Sequence, residues 1–307
     1  MPLIDTLIIP GLAAAVTAAH AAPIPGLRQL CRHARVRAGG VAGMDAAVWA
    51  ALGGGIDIPG AAAASWTGVH GEAPAQSLLL ATPVQMFAGP DQASMVPVPG
   101  VGPELQPGLW IRLSQAALEC GGRLIAGPEG LVWLRMEEDP GAGGADPFRA
   151  AGGPVDLPES QALLRLLNHL QMALHTEQDA GFNSLWFWGA GGAPAITAGA
   201  QITLVGGDAA ARGMALLRGA SVQDRWRDQV PVILIERRLA RAADEADWLE
   251  ALAAIDTELL TPLAARAAPL HIVDPDAGLH LEVVAGWWRR LWNRSGTPGA
   301  LLGWPGP

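Results

Sequence analysis

The stretch Asn183-Ser184-Leu185-Trp186-Phe187-Trp188-Gly189-Ala190-Gly191-Gly192 runs from an aromatic strand into a glycine-rich turn. It belongs to a chain with 12 tryptophans, four phenylalanines and no tyrosine. Alternation places Trp186 and Trp188 on one face of a short strand, and the glycines then let the backbone turn tightly. In α/β sheets, ligand-facing loops sit where a strand gives way to such a turn. Two readings stay open here. The tryptophans are either core residues before an ordinary loop, or part of a ligand surface built from Asn183, Trp186, Trp188, Gly189 and Gly191. Asparagine offers a paired donor and acceptor, tryptophan a flat apolar wall with one N–H, and glycine close backbone approach.

Working outward, Pro158 to about His175 reads as the strongest helix. Leu163, Leu167, Leu170 and Leu174 recur at helical spacing and form one buried stripe. Asn168, Gln171 and His175 lie beside it, facing either a cleft or neighbouring side chains at a helix edge. Beyond the tryptophans, Gln201 to Val205 and Val230 to Ile235 read as strands, separated by a Gly-Gly-Asp turn and a helix near Ala209 to Leu217. An amphipathic helix from Asp244 to Ala265 buries Leu249, Leu252, Ile255, Leu259 and Leu263, and His271 to Val273 reads as a late strand.

Toward the N-terminus, Leu3 to Ile9 is a strand stopped by Pro10-Gly11. Pro25 to Arg35 has helical spacing, and Asp45 is placed to cap a helix that ends at Gly53-Gly54-Gly55. Residues 56–76 are ambiguous. Pro83 to Phe87 pairs with Ala93 to Val98, Ser114 to Cys120 is a short helix, and Arg123 to Ala126 forms a hairpin with Leu131 to Arg135. Glu137 to Pro147 is a polar connector of low order. Strands alternating with helices predict an α/β sandwich with a mainly parallel sheet. The expected division is an α/β core from 1–80 and 150–285, an α+β insertion from 81–149, and a tail from 286–307.

Composition narrows the function classes. Half of the 307 residues are apolar and 16% are charged, enough to build a full core. The formal charge of −9 argues against nucleic acid as a partner. Cys31 and Cys120 stand in unrelated apolar contexts and read as free thiols of a reducing compartment. The apolar run from Leu7 to Ala22 lacks a basic flank and is broken by Pro10-Gly11, so it reads as a buried strand and not a signal peptide. No stretch reaches the roughly 20 apolar residues of a membrane span, and a cytoplasmic location is expected. The basic, aromatic tail Trp287-Trp288-Arg289-Arg290-Leu291-Trp292-Asn293-Arg294 is either a docked helix or an adaptor surface.

Three signatures carry a resemblance: Leu167-Asn168-His169-Leu170-Gln171-Met172-Ala173-Leu174-His175, the Asn183 to Gly191 element, and the Trp/Arg tail. On these the chain resembles the bacterial RpfE-type regulatory proteins, often labelled phosphoglycerate mutase. Thr82-Pro83-Val84-Gln85-Met86 is similar to a Pro-Val-His stretch of that family, with Gln85 in place of histidine. More distantly, Pro25 to Leu30, Gly43-Met44-Asp45 and Ile255-Asp256 with Pro262-Leu263 resemble, in order, segments of the cofactor-independent phosphoglycerate mutases of the alkaline phosphatase superfamily. That likeness implies a three-layer α/β/α sandwich with a smaller insertion. It also implies two divalent cations and a serine that accepts the phosphoryl group.

Those chemical groups do not appear in this sequence. Pro10-Gly11 stands for the Asp-Gly metal pair, Met44 for the nucleophile, Ile235-Glu236-Arg237-Arg238 for the histidine-rich metal segment, and Asp274-Pro275-Asp276 for the Asp-His element. Asp45 alone is kept, as a ligand or as a helix cap. No Gly-x-Ser-x-Gly, Walker loop or dinucleotide fingerprint replaces them, and His271 with His280 is the one close histidine pair. The expected catalytic, metal and cofactor sets are therefore empty. The expectation is a degenerate phosphomutase-like protein that binds an unidentified small molecule or protein partner. The alternatives are an active metal-dependent mutase and an adaptor acting through its tail.

Overall fold

A computed structural model describes residues 5–14, 24–36, 43–54, 58–89, 93–98, 106–148, 150–175, 181–192, 202–223, 232–242, 244–266 and 268–283. The tail at 287–294 lies outside them. The chain forms two compact units, residues 1–58 with 196–307, and residues 59–195.

The first unit is built on a seven-stranded sheet. Its strand order is Ser221–Gln223, Thr203–Gly206, Val232–Ile235, Asp5–Ile8, Leu270–Asp274, Leu279–Val283 and Ala34–Val36. The first five run parallel, and the last two are antiparallel additions. Leu7 lies between Leu234 and Ile272 in register. Leu7 and Ile9 pack with Leu27, Leu252 and Leu263 of the helices on one face, while Ile8, equally buried, points the other way. On that side helix Met44–Ala51 packs on the first strand, and helix Ala209–Leu217 packs on strands Thr203–Gly206 and Ser221–Gln223. The strands are apolar runs because both faces are covered. The α/β class expected from the sequence is the class observed.

Two local expectations change. Helix Met44–Ala51 is capped by Gly43 at φ 92°, so Asp45 sits inside the first turn, at the positive end of the helix dipole. The long helix predicted from Asp244 is interrupted: Glu245–Ile255 gives way to a π-turn over Asp256–Leu260 before Thr261–Arg266. Pro262 has no N–H to continue a regular turn. At the π-turn Asp256 is 2% exposed, and its carboxylate accepts from Gly26 N at 3.0 Å and Leu27 N at 2.7 Å. It thereby caps helix Pro25–His33 from across the fold. A Cβ on Gly26 would lie 2.4 Å from Thr261 N, so glycine is needed at that crossing.

In the second unit every strand pairing is antiparallel. Leu78–Ala88 is its axis and pairs with Ala93–Pro97, Val132–Met136 and Ser184–Trp188. Gly122–Ala126 extends one edge and Pro154–Val155 the other. Helices Pro107–Glu119 and Gln161–His175 pack together beside this sheet, and Leu163, Leu167, Leu170 and Leu174 are buried as their spacing predicted. This unit, residues 59–195, is larger than the insertion expected at 81–149, because the tryptophan strand pairs with Leu78–Ala88 and the helix before it packs beside that sheet. The ambiguous stretch before it contains helix Ala61–His70.

Replacing Asp256 by alanine strips two buried amides of their acceptor. Asp256→Ala is expected to lower the unfolding free energy by about 2 kcal/mol, read from urea midpoints. An unchanged midpoint would show that the cap contributes nothing.

Candidate functional site

The tryptophan element is woven into the second unit's core. Trp186 is fully buried, and its Nε1–H donates to Ala145 O at 2.8 Å. Its ring lies against Gly144, where a Cβ would come within 2.2 Å. Gly144 N in turn donates to Phe187 O at 2.8 Å. The connector from Glu137 to Pro147, predicted to be of low order, is therefore fastened to the strand by the tryptophan it covers. Trp188 is half-buried, donates to Thr82 Oγ1 at 2.8 Å and meets the exposed ring of Phe148 edge-on.

The other predicted site residues divide into fastened and free-standing positions. Asn183 Oδ1 accepts from Met86 N at 2.7 Å while its Nδ2 donates to Met86 O at 2.8 Å. The side-chain amide thus imitates one more backbone pairing of the strand. Gly189 O accepts from Ala62 N at 3.0 Å, and a Cβ on Gly191 would lie 2.9 Å from Gly60 Cα. The glycines seat the first turn of helix Ala61–His70. Gln171 Nε2 satisfies the buried Ser184 hydroxyl at 3.3 Å. Asn168 and His175 are exposed on their helix. Trp186 presents no surface to a ligand, and the structure brings only Gln171 of the helix residues to the strand.

In the first unit, a second constellation lies at the carboxyl ends of the parallel strands, where ligands of α/β sheets bind. Asp274, 1% exposed, accepts from Gly11 N at 3.2 Å and Ala13 N at 2.7 Å. Asp276 N at 3.0 Å and Ala277 N at 3.4 Å complete its set. Asp208 caps helix Ala209–Leu217 through Ala211 N and takes Arg237 Nη1 at 2.5 Å on its other oxygen. Glu236 gives both oxygens to Arg238, which also reaches Glu258 at 2.6 Å. These carboxylates hold the Arg238 guanidinium more firmly protonated than usual. Arg237 Nε is buried without an acceptor among the described residues. Gly43 N donates to Pro275 O at 2.9 Å, which brings the start of helix Met44–Ala51 to the same strand end.

This donor set does not fit two divalent cations. Pro10 has no side-chain ligand atom, Met44 has no hydroxyl, and the carboxylates of Asp208, Glu236 and Asp274 are committed to protein donors. No group of three His, Cys, Asp or Glu suited to a metal occurs among the described residues. The sequence pointed to Glu236, Arg237 and Arg238, but not to Asp208, which it marked only as a turn. The signal was present: Asp208 follows Gly206-Gly207 and directly precedes a helix, the position of an N-cap. Both cysteines are free; burial pushes the Cys31 thiol up to about 11, and Cys120 is half-buried.

No protein-family model matches the chain, and no curated protein is similar to it. Solved structures are, among them the following two. The PH0037 protein from Pyrococcus horikoshii is 13% identical, with 93% of this chain and 88% of that one covered at a TM-score of 0.54. The cofactor-independent phosphoglycerate mutase from Thermoplasma acidophilum DSM 1728 is 15% identical, with 92% and 89% covered at a TM-score of 0.48. At such identity the first likeness shows a shared fold. No helix among the described residues is long and apolar enough to cross a membrane.

Asp276 supplies a pH test of the strand-end charges. Desolvation and then the Asp274 charge raise its pKa from 3.8, against a lowering by Arg237. The folded state therefore binds this proton more tightly than the unfolded chain, and the stability it contributes is lost as pH rises through the window just above 3.8. Asp276→Asn is expected to raise the thermal midpoint at pH 7 and leave it unchanged at pH 3. A lower midpoint at pH 7 would refute this balance.

Proposed function

We propose that the chain is a phosphoglycerate-mutase-like protein without a metal centre or phosphoryl acceptor, working as a regulatory or ligand-binding pseudoenzyme. One observation carries the reading. At the carboxyl ends of the strands, Asp208 and Glu236 face guanidinium groups and Asp274 faces backbone amides; the resemblance in sequence assigns the nucleophile position to Met44. A cation there would have to displace hydrogen bonds that already satisfy these oxygens. The RpfE-type resemblance supports a regulatory role in a bacterial cytoplasm. The ligand surface is proposed around Trp188 and the glycine turn, with Asn168 and His175 at its margin. Asn183, Trp186 and Gln171 hold that surface in place from behind.

Metal analysis after mild purification is expected to find no tightly held ion at the strand ends, and chelator should leave the melting temperature unchanged. Two firmly bound manganese or zinc ions per chain would overturn the proposal. So would Mn²⁺-dependent turnover of 3-phosphoglycerate that Asp45→Ala abolishes.

A further inference from the structure

On its antiparallel side, the seven-stranded sheet sends one row of side chains into the first unit's core cluster. Leu270, Ile272, Leu281 and Val283 enter the core cluster, so His271, His280 and Glu282 alternate onto the opposite face. Both histidines are half-buried. His271 stands opposite Glu282 and His280 opposite Val273, which makes the two imidazoles diagonal neighbours. Nδ1 of His271 lies 3.0 Å from Nε2 of His280. Both strands are paired on their two edges, so the backbone under this contact is well fixed.

Only one hydrogen can lie between the two nitrogens. A neutral imidazole has one lone-pair nitrogen, and either ring can turn it toward this point by carrying its proton on the far nitrogen. That tautomer change releases no proton. Two imidazole nitrogens bound to one ion at about 2.0–2.1 Å lie about 2.9 Å apart at a right angle and about 3.3 Å apart at the tetrahedral angle. The observed separation falls inside that interval, so an ion can be seated with little movement of either strand.

We propose that His271 and His280 form a two-imidazole site for a divalent transition metal of the Ni²⁺, Cu²⁺ or Zn²⁺ type. Imidazole selects these ions over Mg²⁺ and Ca²⁺, which take oxygen ligands. Glu282, directly across from His271, adds a negative charge beside the pair. No three-residue ligand set forms among the described residues. The proposed site rests on the two imidazoles and their spacing. It is separate from the strand ends and does not depend on the pseudoenzyme reading.

Calorimetric titration of the full chain with Ni²⁺ at pH 7.5 tests the site. Wild type and a control, His70→Ala on an exposed helix end, are expected to bind one ion. His271→Asn and His280→Gln should each bind at least tenfold more weakly. Affinity should fall as pH drops through the imidazole range, about 6.5, and excess Mg²⁺ should not compete. Thermal melts establish that the variants are folded, and a Ni²⁺-induced rise in the wild-type midpoint gives a second readout should either variant fail. No ion bound by wild type, or equal affinity across the four proteins, overturns the proposal. Two tight ions held by both histidine variants would instead refute the pseudoenzyme reading.

Discussion

The first unit turns on a buried carboxylate, Asp274. An ionised carboxylate removed from water costs several kcal/mol unless hydrogen bonds replace its hydration. Here the replacement comes from four backbone N–H groups, two in the loop after the first strand and two in its own turn. The loop must therefore bend sharply at Gly11, at φ 82°, to aim its amides at the acid. Ile9 N continues the attachment to Val273 O. Asp256 and Asp208 repeat the device at two helix starts. In this unit the buried acids gather backbone donors, and the local geometry follows from their need for them.

That use of acids explains what could and could not be read from the sequence. Strands and helices were legible because burial imposes their apolar patterns: the run from Leu3 to Ile9 contains the first strand, and the leucine stripe from Leu163 to Leu174 lies where its spacing put it. The π-turn was not legible, since Pro262 alone does not say which residue widens the helix, and Asp256 is turned inward by a partner 230 positions away. The cap assigned to Asp45 went to Gly43 because a positive φ lets the chain enter the helix from the strand end at Pro275. The pair of histidines could be seen as close in sequence, but their diagonal contact depends on strand register.

The tryptophan element shows the same division. Alternation correctly put its two indoles on a strand, yet nothing local revealed that Gly144 would lie flat against one of them. An indole that must satisfy its N–H when buried needs a carbonyl nearby. The connector expected to be of low order supplies it through Ala145. Asn183 likewise spends its amide on Met86. These residues shape the second unit by filling and fastening it, and the half-buried Trp188 with exposed Phe148 is the part that still faces outward.

The strand ends bear on what kind of activity the first unit can support. Carboxylates gathered at the ends of parallel strands need a counter-charge, and a phosphoryl-transfer site supplies it as ions whose open positions receive the moving oxygens. Arg237 and Arg238 supply it as guanidinium groups tethered to the same turn. A guanidinium stays charged over the physiological range and holds its partners in fixed directions. It cannot open a coordination position, and it lowers the pKa of no bound water. The two guanidinium groups therefore supply the charge balance of Asp208 and Glu236 at the strand ends from within the chain.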